Sequence, residues 1–461
     1  MKKLVLIVAL LLCSGLAFAG ENLSLGGYIK SEVSMQVQDN KNDLQKFKNI
    51  IELSGEYKIK DDELVFFAKA RYWYDFAYGI RDKLDIAQHY AEHIQRTDWL
   101  RDLYLDYNKD SWFLRLGKQQ IAWGQADGIT ILDRVNPVDL SEYWLQDFMD
   151  MRIPLWMANI NYAPKLNSNL QFLFIPDFEQ STSAPIGGPF CTYSYIMYDN
   201  WKKTAGNVNE NIHFPGKNFE NSTFGLQWSD RIGDLNYTLN YLNGYYYSAR
   251  NTTRFLGNIL GVNNWKVERD FKRYQLYGGS FNKSVTNPGI LQGITFRGDA
   301  ALYKDEPTYV GDPIAASAKQ IRRWNNVFWL IGADKYVFTK WLLSAQYAQY
   351  ILAHAKEKSI AALTPQQQYP MNAFTYGFAD QVENIFSLKV STNFMNDRVR
   401  PEVLWSFTDD NQGRISPKVS YELKDNLLLT LGVHYFYGSL LDSNGQYREQ
   451  GQIYSNIKYS F

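Results

Sequence analysis

The stretch Ile453-Tyr454-Ser455-Asn456-Ile457-Lys458-Tyr459-Ser460-Phe461 decides how the rest of the chain reads. Ile453, Ser455, Ile457, Tyr459 and Phe461 fall on one face of an extended segment. Tyr454, Asn456, Lys458 and Ser460 fall on the other. Period-two alternation marks a β-strand with one mostly apolar and one mostly polar side. In a soluble fold, an apolar strand with an open edge invites aggregation. In lipid the same strand is satisfied when it pairs with the first strand and closes a barrel, because closure leaves no backbone group unpaired. The expected partner begins near Leu23. An aromatic residue such as Phe461 is what bacterial outer-membrane barrels carry on their last strand, so the barrel-assembly machinery is an expected partner.

The opposite end agrees. Lys2 and Lys3 precede an apolar run, Leu4 to Leu12, too short to span a bilayer as a helix. Ala17-Phe18-Ala19 fits an A-x-A cleavage site, so residues 1–19 read as a signal peptide and 20–461 as the mature barrel. Cys13 follows Leu12 rather than a small residue, which disfavours lipoprotein processing.

Composition narrows the class. Mean hydropathy is −0.37. No stretch after the leader reaches the ~18 apolar residues of a membrane helix, which excludes a helical membrane protein. Aromatic residues make up 16% of the chain, which suits girdles of Tyr and Trp at two membrane interfaces. The soluble alternative is an aromatic-rich extracellular β-solenoid or carbohydrate-binding sandwich. Without Lys2 and Lys3 the chain carries a net charge of −2, so no basic excess points to nucleic acid. Cys191 is the one cysteine outside the leader, so no intramolecular disulfide is expected, and it reads as an incidental loop thiol.

About eighteen segments alternate as the last one does. Leu64-Phe66-Ala68-Ala70-Tyr72, Trp112-Leu114-Leu116, Ile294-Phe296-Gly298-Ala300-Leu302 and Val399-Pro401-Val403-Trp405-Phe407 are clear examples. Pro401 and Pro417 cannot donate to a ladder and predict local irregularity. Connections alternate between short, such as Lys60-Asp61-Asp62, and long, such as Glu179 to Asn218 and Ser248 to Glu268. Transmembrane barrels sort their connections in this way. The expected fold is therefore all-β. It is a single transmembrane antiparallel β-barrel of about 18 strands, with short periplasmic turns and long extracellular loops. Sixteen strands fit if one strand has been split or one loop ribbon counted.

The intervening register then faces the lumen. It carries Lys69, Arg71, Arg115, Arg297, Lys389, Arg400, Arg414 and Lys418, with Asp102, Asp106, Asp299, Glu402 and Glu422. A Lys or Arg facing mid-bilayer lipid costs about 2–4 kcal/mol, which favours the inward orientation. These charges either pair across strands and brace the wall, or line a permeation path and bias its selectivity.

One long connection differs from the rest. It runs Gly117-Lys118-Gln119-Gln120-Ile121-Ala122-Trp123-Gly124-Gln125-Ala126-Asp127-Gly128, continues through Ile131-Leu132-Asp133-Arg134-Val135-Asn136-Pro137-Val138-Asp139-Leu140, and rejoins a strand at Arg152-Ile153-Pro154-Leu155-Trp156. Ile129, Ile131, Leu132 and Val135 need burial, and Asp127-Gly128 and Asn136-Pro137 let the chain fold back. Residues 117–151 are therefore expected to fold inward as a constriction or plug. Trp123 would supply a flat apolar surface, while Asp127, Asp133 and Asp139 bond to lumen cations. Lys118, Gln119, Gln120 and Asn136 complete the candidate set.

This run resembles the signature of the proteobacterial outer-membrane family called domain of unknown function 1302. The matching positions are Gly117, Gln119, Gln120, Trp123, Gly124, Asp127, Asp133, Asn136, Pro137 and Asp139. An acidic residue often follows the Trp-Gly pair in that family, and Gln125 stands there instead. The resemblance implies an outer-membrane barrel concerned with export or uptake of hydrophobic compounds, without a settled substrate. The Gly-Lys-Gln and Trp-Gly patterns are more distantly similar to alginate-export porins, although a lumen of mixed sign does not suit a polyanion.

His89-Tyr90-Ala91-Glu92-His93 matches an H-x-x-E-H zinc-peptidase pattern, but its loop leaves no room for a peptidase fold. No G-x-S-x-G elbow or Walker loop is present. No catalytic residue, metal or cofactor is expected. The expected function is passage of small, amphipathic or hydrophobic organic molecules through a porin-like channel. Lipid, lipopolysaccharide and small-molecule cargo would be its partners. No plug-like extension precedes Leu23, so an energised receptor is not expected. The alternative is a surface scaffold or adhesin with a plugged lumen, using Tyr193, Tyr195, Tyr198 and Trp201 in the loop Glu179 to Asn218.

Overall fold

The alternating segments resolve into eighteen barrel strands in the computed structural model, which describes residues 22–38, 43–77, 100–126, 128–186, 188–310, 320–352, 382–440 and 442–461. In chain order these are β1 (Leu23–Gln36), β2 (Leu44–Lys60), β3 (Leu64–Asp75), β4 (Asp102–Lys109), β5 (Trp112–Gln119) and β6 (Leu155–Lys165). There follow β7 (Ser168–Ile175), β8 (Thr223–Ile232), β9 (Leu235–Tyr245), β10 (Arg273–Ser284), β11 (Ile294–Val310) and β12 (Gln320–Val337). The last six are β13 (Trp341–Leu352), β14 (Val382–Ser391), β15 (Val399–Thr408), β16 (Gly413–Lys424), β17 (Leu427–Tyr437) and β18 (Gln452–Ser460). Each pairs antiparallel with its neighbours in sequence, and β18 returns to β1 in the register Tyr28↔Ser460 to Gln36↔Gln452. The count of eighteen settles the choice that the sequence left open.

Closure is tight at the seam. Gly27 and Phe461 exchange two backbone hydrogen bonds of 3.0 Å. A Cβ on Gly27 would lie 2.2 Å from the Glu52 carbonyl oxygen and 3.0 Å from the Phe461 ring. Glycine lets the closing strand and its aromatic residue approach the first strand this closely.

The barrel is inside out relative to a soluble protein. Leu25, Phe66, Leu105, Leu116, Phe172, Leu239, Leu302, Ile331, Leu388, Leu431, Ile457 and Phe461 are exposed on its outer face. Glu32, Glu52, Arg71, Asp102, Asp106, Asp299, Ser344 and Gln346 are buried on its inner face. An apolar outer belt over a polar lumen is the signature of a barrel that crosses a membrane with its strands. Among the described residues no helix is long and apolar enough to cross.

The short turns use left-handed residues, such as Asp61 after β2, Asp110 after β4, and Met395, Asn396 and Asp397 between β14 and β15. Pro417 leaves a gap in the ladder: β16 and β17 pair at Ile415↔Tyr435 and resume at Lys418↔Gly432 in the same register. Pro401 lies just beyond Ser391↔Glu402, the last pair of the β14–β15 ladder.

The long connections hold more regular structure than their sequence suggests. The helix Tyr193–Thr204 and the strand Asn207–His213 lie in the connection after β7. That strand joins a three-stranded sheet with the hairpin Arg250–Ile259 and Val262–Asp270. The helix is docked by an edge contact of Trp201 with Trp265 at 5.5 Å, and Trp265 Nε1 donates to the Ala205 carbonyl at 3.1 Å. Lys202 and Lys203 in the last turn complement the helix dipole. These aromatic contacts are tertiary, which is why no local period announced the helix. The side chains of Tyr193 and Tyr195, and His89 and His93, lie outside the described residues.

Candidate functional site

The connection between β5 and β6, residues 120–154, is fastened to inward-facing side chains around much of the barrel. Its first arm meets β11. The Gln125 amide donates to the two Asp299 carboxylate oxygens at 2.9 and 3.1 Å, and the Ala126 amide donates at 3.2 Å. Gly124 permits this approach. Its φ is +98°, and a Cβ there would stand 2.6 Å from Asp299 Oδ2. Trp123 is buried, with Nε1 donating to Gln171 Oε1 on β7 at 2.8 Å and its ring against Gly225 of β8.

Apolar burial follows. Ile131, Leu132 and Val135 join one buried cluster with Tyr274, Leu276, Tyr303, Phe328 and Leu330 of β10, β11 and β12. The Tyr303 hydroxyl donates to the Ile131 carbonyl, and the Tyr247 hydroxyl to the Val135 carbonyl, each at 2.7 Å. Bulky apolar residues in a loop thus have a packing role, and their carbonyls are satisfied by tyrosines from the wall and the adjoining loop.

Asn136 holds three segments together. Its Oδ1 accepts from the Ile121 amide at 2.8 Å, while Nδ2 donates to the Ile153 and Gln119 carbonyls at 2.9 and 3.4 Å. Asp139 accepts from the Thr182 hydroxyl at 2.6 Å, and a short parallel bridge joins Asp139–Leu140 to Thr182–Ser183. Asp133 Oδ2 accepts from Arg152 Nε and Nη2 at 2.8 and 2.6 Å. Burial pushes the Asp133 carboxyl above the usual range, although the Arg152 guanidinium opposes the shift.

The second arm crosses to the other side. Glu142 lies between Lys46 and Lys48 of β2, at 2.6 and 2.9 Å. Burial disfavours the Glu142 charge, but these two ammonium groups outweigh it and hold the carboxyl well below its ordinary value. The Tyr143 ring packs on Phe436 and Tyr447, and Arg414 of β16 donates to the Trp144 carbonyl at 2.8 Å. A single helical turn, Phe148–Met151, then presents Asp150 to Arg71 of β3 at 2.5 Å. Burial raises the Asp150 carboxyl, and Arg71 more than reverses the effect.

β2 and β11 stand half of the eighteen-strand ring apart. Ala126 is bonded to one and Glu142 to the other. The connection is thus bonded to side chains on opposite sides of the ring. Among the described residues, side-chain hydrogen bonds and ion pairs between this connection and the wall reach β2, β3, β5, β7, β11 and β16.

The candidate residues divide accordingly. Trp123, Asp133, Asn136 and Asp139 come together in the crossing connection. Asp133 and Asp139 bond within the connection or to the next loop rather than to barrel-wall cations. Gln119 ends β5 and is buried, with Nε2 donating to the Met157 carbonyl at 3.2 Å. Gln120 begins the connection itself. Lys118 shares the outward register of Leu116, pairs with Leu103 and Trp156, and donates to the Leu100 carbonyl at 2.8 Å. Its alternation parity takes it out of the lumen. Asp127 lies outside the described residues.

Most of the lumen cations are neutralised laterally. Arg115 makes a two-pronged pair with Asp106 at 2.7 Å, Arg297 bonds Asp334 at 3.1 Å, and Lys418 bonds Glu402 at 3.1 Å. Arg400 stands 3.9 Å from Glu422, and Lys389 keeps the same inward register. Arg400, Glu402 and Lys418 also line a cavity of about 320 Å³ near the short-turn end of β12 to β16. The anchors Lys46, Lys48, Glu142, Asp150 and Arg152 escaped sequence reading. Only the alternation of Lys46 and Lys48 on one strand face hinted at them.

No curated protein is detectably similar in sequence. The outer membrane protein OpdK of Pseudomonas aeruginosa, solved with vanillate, shares 9% identity over 96% of this chain and 99% of its own, with a TM-score of 0.52. OccK3 (OpdO) of the same organism shares 8% over 98% of this chain and 99% of its own, with a TM-score of 0.54. OccAB3 of Acinetobacter baumannii shares 10% over 96% of this chain and all of its own, with a TM-score of 0.52. At such identities the likeness establishes the fold, that of an outer-membrane β-barrel. The model of one sequence family covers residues 35–461, and the chain belongs to that family, described as "Protein of unknown function (DUF1302)".

Proposed function

We propose that this barrel is a passive outer-membrane channel whose lumen is narrowed by residues 120–154, and that its cargo is a small amphipathic or hydrophobic organic molecule. The observation that carries the reading is the attachment of one connection to opposite walls, at Asp299 and at Lys46 and Lys48. Such a bridge divides the lumen and leaves a narrower path beside it. The wall there is apolar: Phe328 and Leu330 are buried with Ile131, Leu132 and Val135, and the partly buried Tyr350 and Ile385 pack against that cluster. A conduit with paired charges and an apolar side suits a solute that is partly greasy rather than a bare ion. OpdK, of the same architecture, was solved with the aromatic acid vanillate. No covalent step is required, and the paired wall charges brace the barrel.

The test is single-channel recording in planar bilayers. The full chain should conduct, and deleting residues 120–140 should raise its conductance severalfold. Equal conductance would refute the constriction. A full chain that passes no current would favour the surface-scaffold reading.

A further inference from the structure

Two arginines beside the crossing connection are met by carboxylates, Arg71 by Asp150 and Glu52 and Arg152 by Asp133, while Arg101 and Arg414 donate to backbone carbonyls of the connection. Arg134 is met differently. Its Nη2 donates to the Thr130 carbonyl at 3.2 Å, and its guanidinium lies over the Tyr303 ring at 5.7 Å. Nε is buried without a hydrogen-bond partner. Among the described residues no carboxylate stands within ion-pair distance, and the adjacent Asp133 is engaged by two nitrogens of Arg152. A buried guanidinium with no carboxylate in ion-pair contact is costly, and its Nε–H and Nη–H edge matches a carboxylate with two parallel bonds.

The surroundings define the rest of the ligand. Ile129, Tyr246, Tyr350 and Ile385 pack on the cluster that holds Phe328, so an apolar body has a wall to lie against. The same wall carries a buried anion. Glu306 accepts from Asn326 Nδ2 at 2.7 Å and from the Tyr350 hydroxyl at 2.9 Å. A second negative group on the ligand would be repelled there.

We propose that Arg134 is the selectivity residue of the constriction, binding the carboxylate of a monocarboxylate whose apolar body lies against Tyr246, Tyr350 and Ile385, while Glu306 disfavours dicarboxylates. The proposal rests on the channel reading above. Three probes separate its parts in single-channel recordings: benzoate, the neutral benzamide and the dianion phthalate. In the wild type, benzoate should interrupt the current at a concentration at least about tenfold below benzamide, the worth of a charge-assisted hydrogen-bonded pair. Phthalate should be weaker than benzoate. Arg134→Gln should bring benzoate level with benzamide, Arg134→Lys should restore part of the preference, and Glu306→Gln should raise phthalate towards benzoate. Equal block by benzoate and benzamide in the wild type overturns the proposal while the measured current upholds the channel. A preference that survives in Arg134→Gln also overturns it. If Arg134→Gln does not fold, judged by heat-modifiable gel mobility, the wild-type comparison and Arg134→Lys decide. Absence of any current overturns the channel reading and this proposal with it.

Discussion

Removing the Asp299 carboxylate should release the connection from β11. Asp299 is 3% exposed and receives two backbone amides, those of Gln125 and Ala126, over 2.9 to 3.2 Å. A hydrogen bond to a charged group contributes about 1.5–3 kcal/mol, so two donors give about 3–6 kcal/mol. Gln125 is itself exposed, so its amide can turn to water and the lower end of that range applies. About 3 kcal/mol shifts a local open–closed equilibrium by roughly a hundredfold. Asp299→Ala should therefore convert a quiet channel into one with frequent openings of larger conductance. Asp299→Asn keeps a carbonyl acceptor and should show about half the effect in free energy. Asp334→Asn is the control, because Asp334 pairs with Arg297 and does not touch the connection. The assay is single-channel recording on protein whose gel mobility shows a folded barrel. Unchanged conductance and noise in a folded Asp299→Ala channel would refute the anchoring argument.

Acid should loosen the connection in two stages. The Asp133 carboxyl is raised by burial against the opposing pull of Arg152, so it takes up its proton first as pH falls, and its pairing with Arg152 weakens first. The Glu142 carboxyl is held below its ordinary value, so its stabilisation is complete above that value and is lost only as pH falls through the depressed one. Current noise between neutral and strongly acid pH should rise in that order, and Asp133→Asn should remove only the earlier step. Asn136→Ala leaves the Ile121 amide and the Ile153 carbonyl without their partner and should cost the connection about 2–4 kcal/mol, read as faster proteolysis within residues 120–154. Gly27→Val places carbon against the Glu52 carbonyl and the Phe461 ring, and should lower the temperature at which the folded gel band is lost.

Much of the barrel is written in residue alternation, because one face of each strand meets lipid and the other meets the lumen. Ile453, Ile457 and Tyr459 show this on β18, and the β1–β18 register agrees with the partner expected near Leu23. Ile131, Leu132 and Val135 are out of place in a solvated loop, and the structure buries all three. What the aspartates of this connection would bond was not visible. Asp133 finds Arg152 in the same connection, and the wall offers Asp299 to backbone amides instead. Backbone donors carry no sequence signal, and contacts across the barrel depend on closure geometry. Lys118 shows the opposite failing. Proximity to the motif suggested a role in the lumen, whereas its parity with Leu116 already placed it outside.

Thiol modification inside the lumen tests the crossing most directly. With Cys191→Ser as background, Gln125→Cys places a thiol on the exposed side of the connection, and Lys118→Cys places one on the outer face of β5. A charged methanethiosulfonate reagent should reduce the current through the Gln125→Cys channel and leave the Lys118→Cys channel unchanged. Full modification of Gln125→Cys, verified by mass, with no change in current would contradict a connection that crosses the permeation path.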